Sequence, residues 1–451
     1  MKKSKTHMNI ILLSGGSGKR LWPLSNDIRS KQFIKIFKTD NTIDGDNGTY
    51  ESMLQRVYRQ IKAVDCDAMV TIATSKSQVS AIHNQIGETV GISVEPCRRD
   101  TFPAIALATA YLHDVKGIAE EEAVVVCPVD PYVNDDYFVA LKQLWKLAQN
   151  GTSNLVLMGI QPTYPSEKYG YIMPITKEAV SKVSSFKEKP DEKTAKNYIT
   201  QGGLWNGGVF AYKLKYVLER AHQLIDFEDY SDLFNKYDTL TKISFDYAVV
   251  EHEQDITVMR FNGEWKDLGT WNTLTEAMEE QVIGDARLND KCTNVHVINE
   301  LGIPILAMGL HDIVISASSE GILISDKEDS SHIKPFVDAI DQQIMFAEKS
   351  WGSFHVLDVE ENSLTIKVTL NPGNRMNYHS HDRRDEVWTV ISGTGHTIVD
   401  GMEQPIKAGD VITMEAGCKH TVIADSKLQM IEVQLGKDIS VSDKHKYELD
   451  V

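Results

Sequence analysis

The sequence has few cysteines, and their arrangement suits neither disulfides nor a cysteine metal site. Five occur in 451 residues, far apart and without a Cys-x-x-Cys pair. This pattern favours a reducing compartment over a secreted, disulfide-bonded framework. The apolar run Asn9–Leu13 ends at a glycine-rich turn and is too short for a signal peptide core or a membrane span. We therefore expect a cytoplasmic protein without a membrane segment.

The sequence is also short of positive charge. It has 47 Lys and Arg against 64 Asp and Glu, a formal net charge of −17 that is spread along the chain. Binding to nucleic acid without sequence preference depends on Lys and Arg that neutralise phosphates, so we expect no nucleic-acid partner. A phosphate site would need a local cluster of cations within a repulsive surround.

Residues 8–284 are predicted to form an α/β domain, because short apolar runs alternate with helical stretches. Such alternation indicates a Rossmann-like fold with a mixed, mostly parallel sheet covered on both faces. Ligands of such folds bind at the carboxyl ends of the strands. The predicted strands include Ile10–Leu13, Met69–Ala73, Val124–Cys127 and Leu155–Ile160, and the predicted helices include Tyr50–Ile61, Pro103–Leu112 and Tyr137–Ala148.

Two β-rich segments are predicted to follow. In residues 285–345, short runs such as Val295–Ile298, Ile313–Ser316 and Ile322–Ile324 indicate a compact, β-helix-like connector. In residues 346–451, alternating strands broken by Pro-Gly, Ser-Gly, Asp-Gly and Ala-Gly predict a small β-barrel. Open strand edges tend to be covered by partners, which favours a homo-oligomer.

A glycine-rich turn directly after the first strand is the strongest local signal. Gly15, Gly16 and Gly18 allow backbone N–H groups to approach phosphate oxygens. Lys19 and Arg20 add positive charge in the same turn. A bare turn of this kind is more often a plain loop with solvated basic residues, but the preceding strand and the clustered charges favour phosphate binding.

Two common phosphate motifs do not describe this turn. A Walker loop needs Ser or Thr after the lysine, and Arg20 follows Lys19 here. The third glycine of the dinucleotide-binding fingerprint would fall on Leu21. The turn therefore indicates phosphate binding of another class.

The turn opens a series of motifs that resemble those of the mannose-1-phosphate guanylyltransferases, bacterial enzymes often fused to a phosphomannose isomerase domain. The motifs occur in order over nearly the whole first segment. They are Leu13-Ser-Gly-Gly-Ser-Gly-Lys-Arg-Leu-Trp-Pro-Leu-Ser25, Glu95-Pro-Cys-Arg-Arg-Asp-Thr-Phe-Pro-Ala-Ile-Ala-Leu107, Pro128-Val-Asp130, Gly159-Ile-Gln-Pro-Thr163, Tyr169-Gly-Tyr-Ile172, Phe186-Lys-Glu-Lys-Pro190, Trp205-Asn-Gly-Gly-Val-Phe210, Asp246-Tyr-Ala-Val249 and Trp265-Lys-Asp-Leu-Gly-Thr-Trp271. The first segment is thus identified as a sugar-1-phosphate nucleotidyltransferase domain.

The resemblance implies transfer of GMP from GTP to α-D-mannose 1-phosphate, which yields GDP-mannose and pyrophosphate. In such a transfer a sugar phosphate oxygen attacks the α-phosphorus in line. The attacking group is already anionic at pH 7, so no general base is required. Catalysis should depend on positioning and on neutralising the repulsion between anions.

We assign the triphosphate to the turn and to cations near it. Arg20 and Lys31 are the main candidates, with Lys19 as a further one. Other residues of the turn would contact the nucleotide through their backbone. They are Leu13, Gly15, Gly16 and Gly18.

The resemblance also implies a magnesium site and a sugar site. Asp130 and Asp267 match the positions that hold Mg²⁺, which needs only one or two carboxylates besides phosphate oxygens and water. Either Asp alone would more often be a helix cap or a turn former. Gly170, Glu188 and Asn206 match positions that hydrogen-bond sugar hydroxyls, and Lys189 matches one that contacts the sugar phosphate. The alternative for Glu188 and Lys189 is an exposed strand pair.

Four residues depart from the family pattern. Lys19 replaces Thr, Ser30 replaces Pro, Pro131 replaces His and Lys187 replaces Val. None of the four removes a phosphate or metal ligand. They leave the identity of the sugar undecided, so a related manno-configured sugar phosphate stays an alternative substrate.

The predicted barrel carries both cupin motifs. The first is Gly373-x₅-His379-Ser-His381-x₄-Glu386-x₆-Gly393, and the second is Gly409-x₅-Glu415-Ala-Gly417-x₂-His420. His379, His381, Glu386 and His420 would form a site for a divalent transition metal such as Zn, Mn, Fe or Co, since three imidazoles and a carboxylate suit these ions.

In the bifunctional family this barrel interconverts mannose 6-phosphate and fructose 6-phosphate. The family has Gln at His379 and His at Arg383 and Val387, and its tail after Gly436 differs. Three hypotheses follow: a guanylyltransferase with a metal-binding cupin, the full bifunctional enzyme, and a sugar-nucleotide sensor without catalysis. A sensor should have lost a phosphate or metal ligand, and this chain keeps them.

Overall fold

The computed structural model describes residues 7–16, 19–26, 28–39, 50–437, 439–440 and 443–448. The chain forms two compact units. The first comprises Met1–Gly16, Lys35–Val79 and Ile86–Leu268, and the second comprises Ser17–Ile34, Ser80–Gln85 and Gly269–Val451. The limits predicted from the sequence at residues 284 and 345 stay a prediction.

Up to Leu268 the chain alternates strands and helices, as the sequence predicted. The strands are β1 (Asn9–Ser14), β2 (Lys35–Lys38), β3 (Tyr50–Ser52), β4 (Met69–Ser75), β5 (Gly91–Glu95), β6 (Ala123–Pro128), β7 (Pro131–Val133), β8 (Leu155–Ile160), β9 (Tyr171–Pro174), β10 (Val180–Lys187), β11 (Leu204–Lys213), β12 (Ile256–Phe261) and β13 (Trp265–Asp267). The helices are α1 (Met53–Val64), α2 (Val79–Ile86), α3 (Thr101–Ala110), α4 (Asp135–Gln149), α5 (Glu192–Thr200), α6 (Leu214–Leu224), α7 (Tyr230–Lys236) and α8 (Phe245–Ala248), and a π-helix (Tyr111–Val115) follows α3. Within the described residues, no helix has the length and apolar character needed to cross a bilayer.

A nine-stranded mixed sheet forms the centre of the first unit, in the order β5-β4-β1-β6-β11-β8-β12-β10-β9. The strands β5, β4, β1 and β6 are parallel, and β11 runs antiparallel between β6 and β8. Ile11 belongs to the apolar core that includes α3 and α6, while Ile10 and Leu12, which point to the other face of β1, are also fully buried. Both faces are therefore covered, which confirms the predicted Rossmann-like architecture.

Helix α1 begins three residues later than the sequence pattern suggests. Tyr50–Ser52 instead pairs with β2 as a short strand. Ser52 is the N-cap of α1, because its hydroxyl accepts from the backbone N–H of Gln55 and the Gln55 side chain accepts from the backbone N–H of Ser52. This capping box sets the start of the helix.

After Leu268 the second unit continues with helix α9 and a strand-rich connector. Its strands are β14 (Val282–Ile283), β15 (Ala286–Leu288), β16 (His296–Asn299), β17 (Ile305–Ala307), β18 (Ile313–Ser318) and β19 (Gly321–Asp326), and its helices are α9 (Trp271–Glu276) and α10 (Lys334–Val337). β14, β16 and β18 pair in parallel, and so do β15 and β17. Parallel pairing of successive short strands is the pattern of a β-helix, which agrees with the prediction.

Arg29 connects the segment before Lys31 to this connector. Its guanidinium donates two hydrogen bonds of 2.8 Å to the carboxylate of Glu300. Asn26 donates to Glu320 and to the carbonyl of Phe346. A bidentate Arg–carboxylate pair fixes orientation as well as distance, so this segment has a defined position within the second unit.

The barrel of the second unit consists of two facing sheets. Its strands are β20 (Phe346–Lys349), β21 (Gly352–Glu360), β22 (Ser363–Leu370), β23 (His379–Ser380), β24 (Arg384–Ser392), β25 (Thr394–Val399), β26 (Met402–Lys407), β27 (Val411–Met414), β28 (His420–Ala424), β29 (Leu428–Gly436) and β30 (His445–Lys446). One sheet has the order β20-β21-β22-β29-β24-β27 and the other β26-β25-β28-β23-β30. An apolar core around Trp388, Val390 and Met430 lies between them, which confirms the predicted cupin barrel.

Candidate active site and metal centre

Asp130 and Asp267 line the same cavity although 137 positions separate them. Asp130 follows β6, and β7 then pairs antiparallel with β13 so that Asp267 stands opposite Pro131. Both carboxylates line a cavity of about 210 Å³ in the first unit. The structure thus brings together the two acidic residues that the sequence predicted as magnesium ligands, and two oxygen donors at one cavity suit a hard cation.

Two aromatic side chains that the sequence analysis left unassigned line the same cavity. The ring of Tyr169 lies 5.7 Å from that of Trp265. Burial and then the charge of Asp267 raise the pKa of Tyr169. The indole N–H of Trp265 is buried and has no hydrogen-bond partner among the described residues.

A bulge in β11 places Asn206 in this cavity. β11 pairs with β8 at Asn206 and Gly159, and the register then shifts before Phe210. Gly208 adopts a φ of 70°, which favours glycine, and its N–H donates to Oδ1 of Asn206 at 3.1 Å. The bulge therefore turns a strand residue of the sheet into part of the site.

Glu188 and Lys189 follow β10 and lie close to Gly170. The Glu188 side chain is only 6% exposed, and Oε1 lies 3.1 Å from the Lys189 ammonium. Burial raises the pKa of Glu188. A Cβ atom on Gly170 would lie 2.5 Å from Oε2 of Glu188, so a larger residue at this position would have to displace the Glu188 side chain. Glu188 is therefore buried, whereas Lys189 is exposed, and the roles of both residues stay predictions.

Asp246 is a further member of this cluster that the sequence analysis left without a role. The side-chain amide of Asn206 donates a hydrogen bond of 2.6 Å to Oδ1 of Asp246. Burial and then the charge of Glu188 raise the pKa of Asp246 to about 7. The motif Asp246–Val249 was a signal for it, but the spacing of 40 residues to Asn206 gave no reason to pair the two.

The Asp246→Asn variant is expected to change how stability depends on pH. Because the folded-state pKa lies above the ordinary value of about 3.9, the native state retains a proton that the unfolded chain releases. Wild-type stability from this group therefore falls as the pH rises from about 4 to about 7, and is lowest above pH 7. The variant should be more stable relative to wild type at pH 8 than at pH 4.5, by on the order of 1–3 kcal/mol.

Urea unfolding of both proteins at the two pH values measures this difference. An Asn at position 246 still offers an acceptor oxygen to the Asn206 amide, so the hydrogen bond can be retained. A difference in unfolding free energy that stays constant with pH would contradict the assignment of a raised pKa to Asp246.

The predicted phosphate turn is partly described. Leu13 lies on β1, where its carbonyl accepts from the N–H of Val129 at 3.2 Å. Gly15 and Gly16 are exposed, and the Gln78 side chain donates to the carbonyl of Gly16 at 3.4 Å. Gly18 lies outside the described residues.

The predicted cations Lys19, Arg20 and Lys31 belong to the second unit. Lys19 and Arg20 form a short 3₁₀ helix, and Lys31 begins another. The Lys19 ammonium lies 3.2 Å from a carboxylate oxygen of Asp338. The roles of the three cations in binding triphosphate stay predictions.

The four predicted cupin ligands converge inside the barrel. His379, His381, Glu386 and His420 are each 2% exposed, and one ligand atom of each lies within 4.8 Å of the others. Each imidazole is held through Nδ1 by a backbone carbonyl: that of Asn377 at 2.6 Å, of Asp443 at 2.8 Å and of Cys418 at 3.0 Å.

These carbonyls define the chemistry of the cluster. A carbonyl can only accept, so each Nδ1 carries the proton and each Nε2 presents a lone pair. Nε2 of His381 and of His420 lie 3.0 and 3.2 Å from the carboxylate of Glu386, and Nε2 of His420 has no hydrogen-bond partner among the described residues. Nε2 atoms that converge beside a carboxylate in this way suit a divalent metal ion, and the four residues could hold one.

Other ionisable groups surround this cluster. Arg384 donates to Oε1 of Glu386 at 3.2 Å. Glu432 on β29 is 5% exposed, and burial and then the charge of Glu386 raise its pKa to about 7. Burial lowers the pKa of Lys444. Neither Glu432 nor Lys444 was among the site residues predicted from the sequence.

Comparison with known proteins agrees with this architecture. Residues 9–282 match the nucleotidyl transferase family and residues 366–434 match the cupin domain family. The chain is 28% identical to the mannose-1-phosphate guanylyltransferase ManC of Salmonella typhimurium, over 98% of both chains. It is 29% identical to the xanthan biosynthesis protein XanB of Xanthomonas campestris pv. campestris, over 97% of both chains.

A solved structure is also similar. It is that of a mannose-1-phosphate geranyltransferase from Thermus thermophilus, with a TM-score of 0.60 and 25% identity, covering 74% of this chain and 98% of that one. The family match spans more than half of the 451 residues. The chain therefore belongs to the nucleotidyl transferase family, and a cupin domain follows its transferase domain.

Proposed function

We propose that this chain is a mannose-1-phosphate guanylyltransferase, which transfers GMP from GTP to α-D-mannose 1-phosphate and releases pyrophosphate. The observation that carries the proposal is the meeting of Asp130 and Asp267 at one cavity with Asn206. A two-carboxylate cation site beside a polyol-binding amide suits a phosphorylated sugar that reacts with a nucleotide. The relatives ManC and XanB support the reaction class.

The sugar is held by the cluster around Asn206. The carboxylate of Glu188 and the amide of Asn206 accept from and donate to neighbouring hydroxyls. Lys189 supplies a cation to the sugar phosphate, and Gly170 hydrogen-bonds a further hydroxyl of the sugar. The attacking oxygen needs no base, so these residues act by orienting it.

The nucleotide is held by the glycine-rich turn and by cations. Backbone N–H groups of Gly15, Gly16 and Gly18 contact phosphate oxygens, and Arg20 and Lys31 neutralise the triphosphate, with Lys19 as a further cation. Asp130 and Asp267 would hold Mg²⁺. When bound, that ion offsets the negative charge of the phosphates during displacement. A sensor would have no need of this cation site, which favours the enzyme.

We place the reaction in the cytoplasm, in agreement with the five free cysteines. His379, His381, Glu386 and His420 would hold one divalent transition metal such as Zn, Mn, Fe or Co. A homo-oligomer is supported by apolar side chains exposed on the connector, among them Leu306 and Ile324.

A second candidate is isomerisation of mannose 6-phosphate and fructose 6-phosphate in the cupin. The observation in its favour is that Glu432, Arg384 and Lys444 accompany the metal cluster inside the barrel. Cations suit the phosphate of such a substrate, and a buried carboxyl suits transfer of a proton between neighbouring carbons. The departures at Arg383 and Val387 argue against it.

Pyrophosphate release tests the principal proposal. The full chain is assayed with each of the four nucleoside triphosphates against mannose 1-phosphate and a panel of other sugar 1-phosphates. We expect the highest kcat/KM with GTP and mannose 1-phosphate, because the proposed contacts match both. A higher value with another manno-configured sugar phosphate would redirect the substrate assignment.

The same preparation decides the second candidate. It is incubated with fructose 6-phosphate and a divalent transition metal, and mannose 6-phosphate is measured. Absence of pyrophosphate with every pair of substrates would refute the transferase, whatever the isomerase assay gives.

A further inference from the structure

The segment that carries the predicted triphosphate cations folds with the connector. Residues 17–34 belong to the second unit, although they lie within the part of the chain that matches the nucleotidyl transferase family. The indole N–H of Trp271, on helix α9 of the same unit, donates to the carbonyl of Trp22 at 3.1 Å. The hydroxyl of Ser318 on β18 donates to the carbonyl of Pro23 at 2.6 Å. The backbone of the segment is therefore positioned by residues of the connector.

Arg29 adds a side-chain anchor to these backbone contacts. Its two terminal nitrogens donate to the two carboxylate oxygens of Glu300, which follows β16, at 2.8 Å each. The carbon of the guanidinium lies 4.9 Å from the centre of the Phe346 ring, and Arg29 is only 9% exposed. The pair fixes the direction of the guanidinium, and the aromatic face restricts it on another side.

Lys31 follows Arg29 by two residues, and its backbone is fixed on both sides. Before it, the carbonyl of Arg29 accepts from the N–H of Asn26 at 2.9 Å, and the Asn26 side chain accepts from the N–H of Arg29 at 2.6 Å. After it, Phe33 is fully buried, and its N–H donates to the carbonyl of Ser30 at 3.0 Å. A displacement of Arg29 would therefore displace the backbone of Lys31.

We propose that the Arg29–Glu300 pair positions Lys31 for the triphosphate. This inference rests on the proposed function, which assigns Lys31 to that group. A lysine side chain is long and flexible, so its ammonium is preorganised only if the backbone beneath it is held. Glu300 is thus an acidic residue that supports the binding of an anion. It does so by holding Arg29, and neither residue of the pair contacts the nucleotide.

Glu300→Gln tests this role, because it removes the charge and one of the two acceptor oxygens. The carboxylates of Glu320 and Glu348 also attract the Arg29 guanidinium, so its charge stays balanced and the full chain should fold. We expect the Kd for GTP, measured by calorimetry, to rise about 10-fold or more. The KM for mannose 1-phosphate should stay at the wild-type value, whereas a general loss of structure would change both.

A second comparison tests whether the pair acts through Lys31. Lys31→Ala alone should weaken GTP binding, and Glu300→Gln added to it should cause no further loss, because the side chain that the pair positions is already gone. If the two losses multiply, the pair acts by another route and the inference is overturned. If Glu300→Gln is unfolded, Arg29→Lys replaces it, since lysine keeps the charge but cannot form the bidentate contact.

Glu51→Gln is the matched control. Glu51 also accepts from an arginine through both oxygens, that of Arg59 at 3.0 and 2.6 Å, and it is 6% exposed. This pair joins β3 to α1 and belongs to the first unit. The variant loses a contact of the same kind, so its stability should fall, but its Kd for GTP should equal that of wild type.

The binding measurements need no turnover, so they decide the inference even if no pyrophosphate is released. A wild-type chain that binds no GTP would refute the proposed function and the inference together. Wild-type affinity for GTP in Glu300→Gln, or an equal rise in the KM for mannose 1-phosphate, would overturn the inference alone. The same loss of GTP binding in Glu51→Gln would also overturn it, because the effect would then follow from lost stability.

Discussion

Replacing Asp130 by Asn should lower the rate of pyrophosphate release by about 10³-fold or more, while the fold is retained. Removal of one anionic oxygen weakens the cation that offsets phosphate charge, and about 4 kcal/mol of transition-state stabilisation corresponds to this loss. Asn keeps the size of the side chain, so the packing at the end of β6 should not change. Pyrophosphate release at saturating substrates measures the effect.

The dependence on magnesium separates a metal role from a structural one. If Asp130 holds the ion, the Asn variant should need a higher Mg²⁺ concentration for half-maximal rate, and so should Asp267→Asn. The matched control is Asp136→Asn, an exposed residue close in sequence that does not line the cavity. Wild-type turnover in Asp130→Asn would contradict the assignment of Asp130 as a magnesium ligand. It would also contradict the proposal that Asp130 and Asp267 form one metal site.

In the cupin, His379→Ala should abolish stoichiometric binding of a divalent transition metal. We expect about one equivalent in wild type, since the cluster offers one set of converging lone pairs. A metal that binds only the native state also stabilises it, by about 2.7 kcal/mol at a concentration of 100 Kd. Metal analysis after gel filtration and thermal unfolding with and without added metal measure both effects.

His396→Ala provides the control for this experiment. His396 lies in the same barrel on β25, is partly exposed and lies 3.3 Å from Asp425, outside the cluster. It should bind metal as wild type does. Unchanged stoichiometry in His379→Ala would show that the four residues are not the ligand set, even though they converge.

Much of the architecture was predictable because it depends on local patterns. Buried strands such as β8 consist of one short apolar run. The turns of the barrel are marked by dipeptides that end in glycine, such as Ser-Gly and Asp-Gly. The cupin cluster was predictable for a similar reason. His379, His381 and Glu386 are close in sequence, and only His420 comes from a distant part of the chain.

Contacts between distant segments were not predictable from one sequence. Tyr237 and Glu95 are separated by 142 positions, and neither residue type by itself indicates a hydrogen bond. The Nδ1 contacts of the imidazoles involve backbone carbonyls, which leave no trace in the sequence. Asp246 was visible as part of a motif, but its raised pKa arises from burial and then from the charge of Glu188, and only the folded chain produces both.

The irregularity in β11 restricts how the substrate preference of this protein can diverge. Deletion of Gly207 or insertion beside it would shift each following residue by one, and side chains that now face the core, such as Phe210, would face the other side. Insertions and deletions at this position would therefore destabilise the fold. If the proposed sugar site is correct, a different sugar could be accepted only through exchange of side chains on an unchanged backbone, at Asn206, Glu188 or their neighbours.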